Sequence, residues 1–503
     1  MKAMKWVAAW AGPMLGLTVA AAAQSTTASV DAFKVEETRL GHWDAEVLIP
    51  TFSLDGRHLA YVTTRDHKKC VVVDGQAGQG YDGIVPGTLI FSPDGKRVAY
   101  AAYKGKRQMA VVDGHEGAEY DGISEGNLIF SPDGKRVAYA ARVGEKRLVV
   151  VDGQAGAEYD RIGQASLTFS SDSNRLLYVA KKGERLLVVL DGQPGAEYDA
   201  IIKGNLAFSP DGKHVAYAAQ KGTKQFVVLD DHADADYDGV NNLIFSPDGR
   251  RVAYGAKKGD KWLVVVDGQA GAECDGMGKD SPIFSPDSKR VAYGAKKGEK
   301  WSVVVDGHAG AEYDAIAVGF PIFSPDGKRL AYQAWKGEKA LVVVDDQEGA
   351  EYDGIGRRLI FSSDGKHVAY IADKNKKWLV VVDGQQGTEY DAIVEGTPIF
   401  SPDGKHLAYG AGKDGKELVV LDGREGAEYD GIGASALVFS PDGKHMAYAA
   451  LNGEKQYLVM DGQMGAKYDT ICKGSPIFSP DGGLEYLAIK TQSLYRVKYI
   501  PTP

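Results

Sequence analysis

Aspartate is the most abundant side chain with catalytic potential in the repeated part of this 503-residue chain. Three positions recur, represented by Asp133 in an SPDG phrase, Asp152 in VVVDG and Asp160 in EYD. A catalytic carboxylate pair needs two groups in different environments, and a pair that is copied in nearly every unit marks no single place. We therefore interpret these carboxylates as acceptors for the backbone of turns, and we predict no catalytic residue.

One acidic stretch departs from the repeat, DDHADADYDG from Asp230 to Gly239. Its alternate carboxylates Asp234, Asp236 and Asp238 are followed by glycine, as at the start of a calcium loop. Asp238 also belongs to the repeated Tyr-Asp pair, and the twelfth position, where such a loop has a bidentate Glu, is Phe245. The three aspartates are thus a calcium candidate without the last ligand, and the sequence predicts neither a metal nor another cofactor.

Histidine and cysteine give no arrangement suited to nucleophilic catalysis or metal binding. Five histidines share the slot that Arg97 and Arg136 fill in other units, and we expect them to begin the second strand: His58, His214, His367, His406 and His445. No histidine neighbours a Ser or Cys in a way that suggests a nucleophile. Three cysteines stand far apart without disulfide or metal spacing: Cys70, Cys274 and Cys472.

The positions that vary between repeats offer more to a binding function than the constant ones. The residue five before each VVVDG aspartate changes from unit to unit and is Trp262, Trp301 and Trp378 in three of them, with Trp335 nearby in sequence. These tryptophans are our candidate binding residues, because aromatic side chains suit a contact surface for a sugar or a protein. The alternative is that they cover the seams between neighbouring repeats.

A repeated unit must position all these residues. Twelve phenylalanines anchor it at spacings of 37 to 39 residues, and the unit from Ser281 reads SPIFSPDGKRVAYGAKKGEKWSVVVDGHAGAEYDAIAVG. Four pieces rich in Val, Ile, Tyr, Phe and Trp are separated by turn phrases such as SPDG and DG, which predicts four antiparallel strands. Runs such as LVVVDG are continuously apolar, as in strands that are buried on both faces.

Four-stranded units of about 40 residues stacked around an axis describe a β-propeller. The sequence thus predicts an all-β fold of twelve four-stranded antiparallel blades. Before the first anchor, HWDAEVLIPTFS matches EYDGIVPGTLIFS, whereas the chain after Phe478 supplies one strand too few. We expect an N-terminal strand to complete the last blade and remove its open edge. Two six-bladed rings, with a boundary near 314–322, are favoured over a single twelve-bladed ring, because a ring of twelve would surround a wide hole.

The N-terminus reads as an export signal. Lys2 and Lys5 precede an apolar stretch that ends at Ala21-Ala22-Ala23. We assign 1–23 to the signal peptide, 24–40 to a short lead and 41–503 to the repeats, and expect a periplasmic or secreted protein. A net charge of −9 gives no basic face for nucleic acid, and no later segment reaches the roughly 20 apolar residues of a membrane helix.

The phrase FSPDGKRVAY…VVVDG resembles the TolB-type, WD-repeat-like blades of exported bacterial proteins, over about Gly41 to Pro503. The resemblance implies a propeller, whereas TolB itself also carries an α/β domain for which there is no room before the first blade. We expect an exported, non-enzymatic scaffold that binds a protein or a cell-envelope component. The alternatives are a carbohydrate-binding propeller that uses the tryptophans, and a hydrolase or lyase with its site in the propeller mouth.

Overall fold

The fold is described from a computed structural model, which covers residues 26–30, 33–42, 48–54, 57–319, 321–433, 437–472 and 476–502. These residues form strands, turns and bends, with no helix among them. The strands make twelve antiparallel sheets, one for each phenylalanine anchor. The all-β fold with twelve blades is thereby confirmed, and the sheets ring around an axis as a β-propeller.

Within a blade the strands follow sequence order, and in several blades the first strand has two pieces that both pair with the second strand. Blades 1 to 3 comprise Leu48–Phe52, Leu59–Arg65, Lys68–Val73 and Gln76–Ala77; Gly83–Ile84 with Ile90–Phe91, Val98–Lys104, Arg107–Val112 and His115–Tyr120; and Gly122–Phe130, Val137–Val143, Lys146–Val151 and Gln154–Tyr159. Blades 4 to 6 comprise Arg161–Ile162 with Thr168–Phe169, Leu176–Lys182, Arg185–Leu190 and Gln193–Tyr198; Ala200–Phe208, Val215–Lys221, Lys224–Leu229 and His232–Ala233; and Gly239–Phe245, Val252–Lys258, Lys261–Val266 and Gln269–Ala270.

The second half repeats this plan. Blades 7 to 9 comprise Gly276–Met277 with Ile283–Phe284, Val291–Lys297, Lys300–Val305 and His308–Ala309; Ala315–Ile316 with Ile322–Phe323, Leu330–Lys336, Lys339–Val344 and Gln347–Glu348; and Gly354–Phe361, Val368–Lys374, Lys377–Val382 and Gln385–Gln386. Blades 10 and 11 comprise Ala392–Ile393 with Ile399–Phe400, Leu407–Lys413, Lys416–Leu421 and Arg424–Tyr429; and Gly431–Ile432 with Val438–Phe439, Met446–Asn452, Lys455–Met460 and Gln463–Tyr468. Blade 12 comprises Thr470–Ile471 with Ile477–Phe478, Leu484–Lys490, Ser493–Pro501 and, from the N-terminal region, Phe33–His42, which Thr26–Val30 extends by one more strand.

Turn chemistry sets the strand boundaries. In blade 3 the third and fourth strands are joined by Asp152 and Gly153, whose φ angles of 50° and 82° are both positive. Positive φ at both central residues is the requirement of a type I′ hairpin turn, which explains the Asp-Gly phrase. At the start of the second strand, the amide of Gly134 donates a hydrogen bond of 2.8 Å to the carbonyl of Ser131 and closes the SPDG turn.

The core lies between the sheets. Val149 and Val150 are adjacent in the third strand of blade 3 and are 2% and 0% exposed. Val149 packs in the cluster between blades 3 and 4, whereas Val150 packs in the cluster between blades 2 and 3. Successive side chains of a strand point to opposite faces, so both faces of the blade are covered, as the unbroken apolar runs predict.

The two ends of the chain meet in blade 12. Phe33–His42 pairs antiparallel with Ser493–Pro501, so an N-terminal strand completes the last blade as predicted. This strand lies mostly within 24–40, the region that the sequence assigned to a lead, because it extends further toward the N-terminus than the repeat match does. The predicted signal at 1–23 lies outside the described residues.

Packing follows sequence order around the ring. One core cluster continues from Ala292 through Tyr313 to Leu330 and so spans the proposed ring boundary near 314–322. Another joins Leu59 of blade 1 to Leu487 of blade 12. These contacts are those of twelve blades around one axis. The division into two six-bladed rings is also compatible with the twelve sheets and stays a prediction.

Candidate functional site

The SPDG aspartates serve their own turns. In blade 3, Asp133 accepts hydrogen bonds on Oδ1 from the Ser131 hydroxyl at 2.6 Å and from the Lys135 amide at 3.1 Å. The Ser131 bond is the main cause that lowers the pKa of Asp133 to about 2. The Asp133 amide in turn donates a hydrogen bond of 2.9 Å across the seam to Ser173 Oγ of blade 4. This carboxylate is an acceptor that fixes a turn.

The VVVDG aspartates connect strands and, through arginine, connect blades. Asp152 accepts from the Val137 amide at 2.9 Å and from Arg136 Nε at 3.0 Å. The same guanidinium donates 2.8 Å to the carbonyl of Asn174 in blade 4 and lies 5.3 Å from the centroid of the Phe169 ring. The slot thus forms an ion pair within one blade and a cation–π contact with the next.

The histidines of this slot keep the contact with the aspartate of their own blade. Each places Nδ1 2.5 to 2.7 Å from the second oxygen of its aspartate, in the pairs His58–Asp74, His214–Asp230, His367–Asp383, His406–Asp422 and His445–Asp461. An imidazole is shorter than a guanidinium, and a cleft of about 370 Å³ remains beside His406, Phe439 and Lys444. These histidines therefore lie at the start of the second strand, as the sequence predicts, and each has an aspartate of its own blade as a structural partner there.

The EYD aspartates fasten one blade to the next. One oxygen of Asp160 accepts a hydrogen bond of 2.5 Å from Lys146 Nζ of blade 3. The other oxygen accepts one of 2.6 Å from the Gly183 amide of blade 4. The Lys146 contact is the main cause that holds the pKa of Asp160 below its usual value. Aspartates in this role occur at eleven seams: Asp82, Asp121, Asp160, Asp199, Asp238, Asp275, Asp314, Asp353, Asp391, Asp430 and Asp469.

Tyrosine pairs close the same seams. Tyr159 at the end of blade 3 meets Tyr178 of blade 4 edge to face, with ring centroids 6.3 Å apart. The pair recurs at nine further seams, but at the seam between blades 6 and 7 a cysteine, Cys274, faces Tyr293 instead. Cys70 and Cys274 are free thiols. The repeated titratable residues are thus engaged in holding blades together.

The three aspartates of the calcium candidate do not converge on one place. Asp234 accepts from the Tyr254 hydroxyl at 2.6 Å and from the Ala235 amide at 2.8 Å, while Asp238 is the seam aspartate of blade 6. Asp236 is exposed. Over the described residues, no three His, Cys, Asp or Glu side chains converge in a way that could hold a metal.

The variable slot faces the following blade. In blade 2 its residue, Gln108, accepts the amide of Ile123 in blade 3 at 2.6 Å. Three other blades repeat this bond, from Val240 to Gln225, from Ile432 to Glu417 and from Ile471 to Gln456, at 2.6 to 2.9 Å. This role was not predicted from the sequence, although the recurrence of Gln and Glu at one slot was a usable signal. The slot is a position where a side-chain acceptor links neighbouring blades.

The tryptophans occupy this level in four consecutive blades. Trp262, Trp301 and Trp378 fill the slot in blades 6, 7 and 9, and Trp335 lies in the second strand of blade 8, paired with Ala340 of the slot. All four are half-buried. The structure therefore brings the candidate binding residues to a common level of adjacent blades, which we call the tryptophan sector.

The members of the sector differ in packing. Trp262 packs against the cluster of Val264, Cys274, Tyr293 and Val304 between blades 6 and 7, as the seam alternative predicts. Trp301, Trp335 and Trp378 belong to none of the core clusters of the described residues. Indole rings that are half-exposed and outside a core retain surface for a ligand.

Comparisons with known proteins give fold neighbours only. No family model matches the chain, and no curated protein matches it. Among solved structures, it is similar to a eukaryotic initiation factor (14% identity, 66% of this chain and 96% of the other, TM-score 0.35) and to the Dos1 propeller (12%, 59% and 90%, 0.29). It is also similar to TolB from Acinetobacter baumannii, with 18% identity over 52% of this chain and 77% of TolB, at a TM-score of 0.22. The fold assignment accordingly depends on the sheets and seams described above.

Proposed function

We propose that the protein is an exported, non-enzymatic β-propeller scaffold that binds a protein or a cell-envelope component through the tryptophan sector. The observation that carries the proposal is the contrast between constant and variable positions. Asp133, Asp152, Asp160 and their copies hold turns and seams, which leaves them no separate catalytic role. The variable slot differs from blade to blade and is where one part of the ring can be distinguished from another.

The sector has the composition of a contact surface. Where Gln108 links two blades, Trp301 and Trp378 have no acceptor to offer the next blade, so their blades lack that seam bond. An aromatic side chain that replaces a structural hydrogen bond and stays half-exposed is consistent with recognition, since tryptophan is enriched at binding hot spots. No helix able to cross a bilayer occurs in the described part of the chain.

A carbohydrate is the second candidate ligand, and one observation favours it. Asp373 pairs with Trp378 across adjacent strands of blade 9, and its buried Oδ1 has no hydrogen-bond partner within the described residues. A buried acceptor without a partner costs free energy that a ligand hydroxyl would recover. An indole ring beside a carboxylate acceptor offers both a stacking face and a hydrogen bond for a sugar.

The test compares capture from envelope extract by the intact chain and by a Trp301→Gln/Trp335→Gln/Trp378→Gln variant. Glutamine is the residue that sister blades carry at the slot, and blade 5 carries Gln220 at the position equivalent to Trp335. The fold should therefore persist, as circular dichroism will check. Lys69→Gln is the matched control, because it places the same residue in the slot of blade 1. We expect the triple variant to lose the captured component by at least about tenfold and the control to retain it.

A glycan array separates the two candidate ligands. Saturable sugar binding that Trp378→Gln and Asp373→Asn both remove would assign the sector to carbohydrate. A captured component that is a protein, with no sugar bound, would assign it to protein. Capture that the triple variant leaves intact would refute the proposed role of the tryptophan sector.

A further inference from the structure

The seam between blades 3 and 4 carries cations at the level where blades 6 to 9 carry tryptophan. In blade 3, Arg142 and Arg147 pair across the second and third strands. In blade 4, Arg161 and Lys181 pair across the first and second strands. Paired residues of an antiparallel sheet project from the same face, so four cationic side chains lie at one level of two adjacent blades.

Two adjoining cavities open at these residues. One, of about 560 Å³, is lined by Arg142, Arg147 and Arg161 together with Lys146, Glu145 and Asp160. The other, of about 350 Å³, shares Arg147 and Arg161 and adds an apolar wall that includes Ile162, Val179 and Leu186. We call the pair the arginine cleft. Its size lies in the range of small-molecule sites.

The cations of the cleft are incompletely neutralised. The side chains of Arg147 and Arg161 have no ion-pair or hydrogen-bond partner among the described residues, whereas nine other arginines are paired with an aspartate. Lys146 is paired with Asp160, and Lys181 lies 3.5 Å from the carboxylate of the exposed Glu184. Arg142 donates only to backbone carbonyls, those of Asp121 and Gly144. The cleft therefore has an excess of positive charge.

A backbone donor points into the same place. The amide of Gly163 bonds to Val179 of the second strand, so the amide of the preceding residue, Ile162, points to the opposite edge of the first strand. At four other seams the corresponding amide is accepted by Gln or Glu of the variable slot. Here the slot is Arg147, which has donors only, and so it cannot accept the Ile162 amide.

We propose that the arginine cleft binds an oxyanion, a phosphate or carboxylate group carried on a sugar-sized body. The oxyanion accepts from the guanidinium groups of Arg147 and Arg161 and from the Ile162 amide, and it supplies the acceptor that this seam lacks. Guanidinium groups suit planar or tetrahedral oxyanions because they donate in a fixed fork. The apolar wall at Ile162, Val179 and Leu186 accommodates the body of the ligand.

The proposal is independent of the tryptophan sector, since it uses other blades and other side chains. Failure of the arginine cleft to bind an oxyanion leaves capture by the sector unchanged, and the reverse also holds. The two experiments therefore fail separately.

The test is isothermal titration calorimetry of the full chain in low-salt chloride buffer at neutral pH, with inorganic phosphate, glucose 1-phosphate and galacturonate as probes. We expect one saturable site. Arg147→Gln supplies the acceptor for the Ile162 amide and removes a cation, and it should weaken binding at least about tenfold, as expected for a lost charge-assisted hydrogen bond. Arg161→Gly introduces the residue that most sister blades carry at this position, and it should weaken binding to a similar extent.

Arg357→Gln is the matched control, because it removes one exposed arginine from blade 9 and lowers the net charge equally. Tighter binding of glucose 1-phosphate than of galacturonate supports a phosphorylated ligand, and the reverse order supports a uronate. The proposal is overturned if none of the three probes binds saturably, or if Arg357→Gln weakens binding as much as Arg147→Gln and Arg161→Gly do. Thermal melting of each variant verifies that it is folded.

Discussion

Arg496 in the last blade donates a hydrogen bond of 2.6 Å to Oδ1 of Asp74 in the first blade. Its Nε lies 2.9 Å from Glu485, and the Arg496 and Glu485 side chains are only 14% and 11% exposed. Burial raises the pKa of Glu485, an effect that the nearby cations Lys498 and Arg496 oppose. This network joins the two ends of the repeat array, and it has a geometry that the seams along the array do not repeat.

Substitution Arg496→Met should destabilise the protein by about 3 kcal/mol, because it leaves the largely buried Glu485 without a close guanidinium. Urea unfolding followed by circular dichroism measures the loss. Arg329→Met is the control, since Arg329 is likewise paired with an aspartate, Asp345 of its own blade, but both of these side chains are about one-third exposed or more. Equal losses in the two variants would contradict a special role for the closing network.

Removal of the closing strand should open blade 12. A chain that starts after His42 loses the partner of Ser493–Pro501 and exposes the edge of that strand, which favours association. We expect lower thermal stability and oligomers in size-exclusion chromatography. A chain that starts at Thr26 retains the strand and is the control. If the shorter chain melts and elutes as a monomer like the longer one, the strand does not close the ring.

Cys274→Tyr should stabilise the seam between blades 6 and 7. The substitution restores an edge-to-face partner for Tyr293, and such a pair contributes roughly 0.5–1.5 kcal/mol beyond the buried area. Blade 7 shows that a slot tryptophan and this tyrosine are compatible, since Trp301 lies beside Tyr313, which is 1% exposed. The reciprocal Tyr313→Cys should cost about 3 kcal/mol. Chemical denaturation measures both, and a destabilised Cys274→Tyr would show that the site has adapted to cysteine.

His406→Arg should strengthen the seam between blades 10 and 11. At the arginine seams the guanidinium lies 5.3 to 5.8 Å from the next phenylalanine ring. The cleft beside His406 and Phe439 has room for the longer side chain. We expect a gain of about 1 kcal/mol, measured by urea unfolding. His406→Gln, which offers no cation, should give no gain, and an equal gain in both variants would exclude the cation–π contact as its cause.

Stability should fall in acid over a defined range. The SPDG aspartates have pKa values lowered below the ordinary value near 4, to about 2 for Asp133, Asp211, Asp403 and Asp442, mainly by their serine hydrogen bonds. A carboxyl whose folded pKa is depressed stabilises the fold fully above its unfolded pKa and loses that effect as the pH falls through the folded pKa.

The urea midpoint should therefore stay constant from neutral pH to about pH 5 and decline between about pH 4 and pH 2. Asp133→Asn should reduce the decline, because it removes one of the contributing carboxyl groups. A midpoint that is independent of pH down to about pH 2 would contradict the assignment of these aspartates as ionised turn acceptors.

Much of the fold was predictable because its determinants are local. The Asp152-Gly153 turn, the SPDG turn and the run through Val149 and Val150 each specify their strands within a few residues. The existence of a closing N-terminal strand was predicted, but its bounds were not. Residues from Phe33 onward do not match the repeat and are held by pairing with Ser493–Pro501.

The roles of the site residues were less accessible, because they depend on contacts across seams. Asp160 bonds the Gly183 amide, and Gln108 bonds the Ile123 amide, and in each case the partner belongs to the next repeat. Arg147 and Arg161 occupy different slots of different units, so comparison of equivalent positions does not bring them together. The tryptophan slot was identified by its variation alone.

The seams have a consequence for how such a chain can change in length. Each joint along the array is made by a repeat with its immediate successor through an aspartate and turn contacts, and ten of the eleven joints described above add a tyrosine pair. Recombination between two nearly identical stretches of the gene would insert or delete a whole number of blades and leave joints of the same general kind between those that remain. The number of blades can therefore increase or decrease by recombination, while the strand from the N-terminal region completes the last blade whatever that number is.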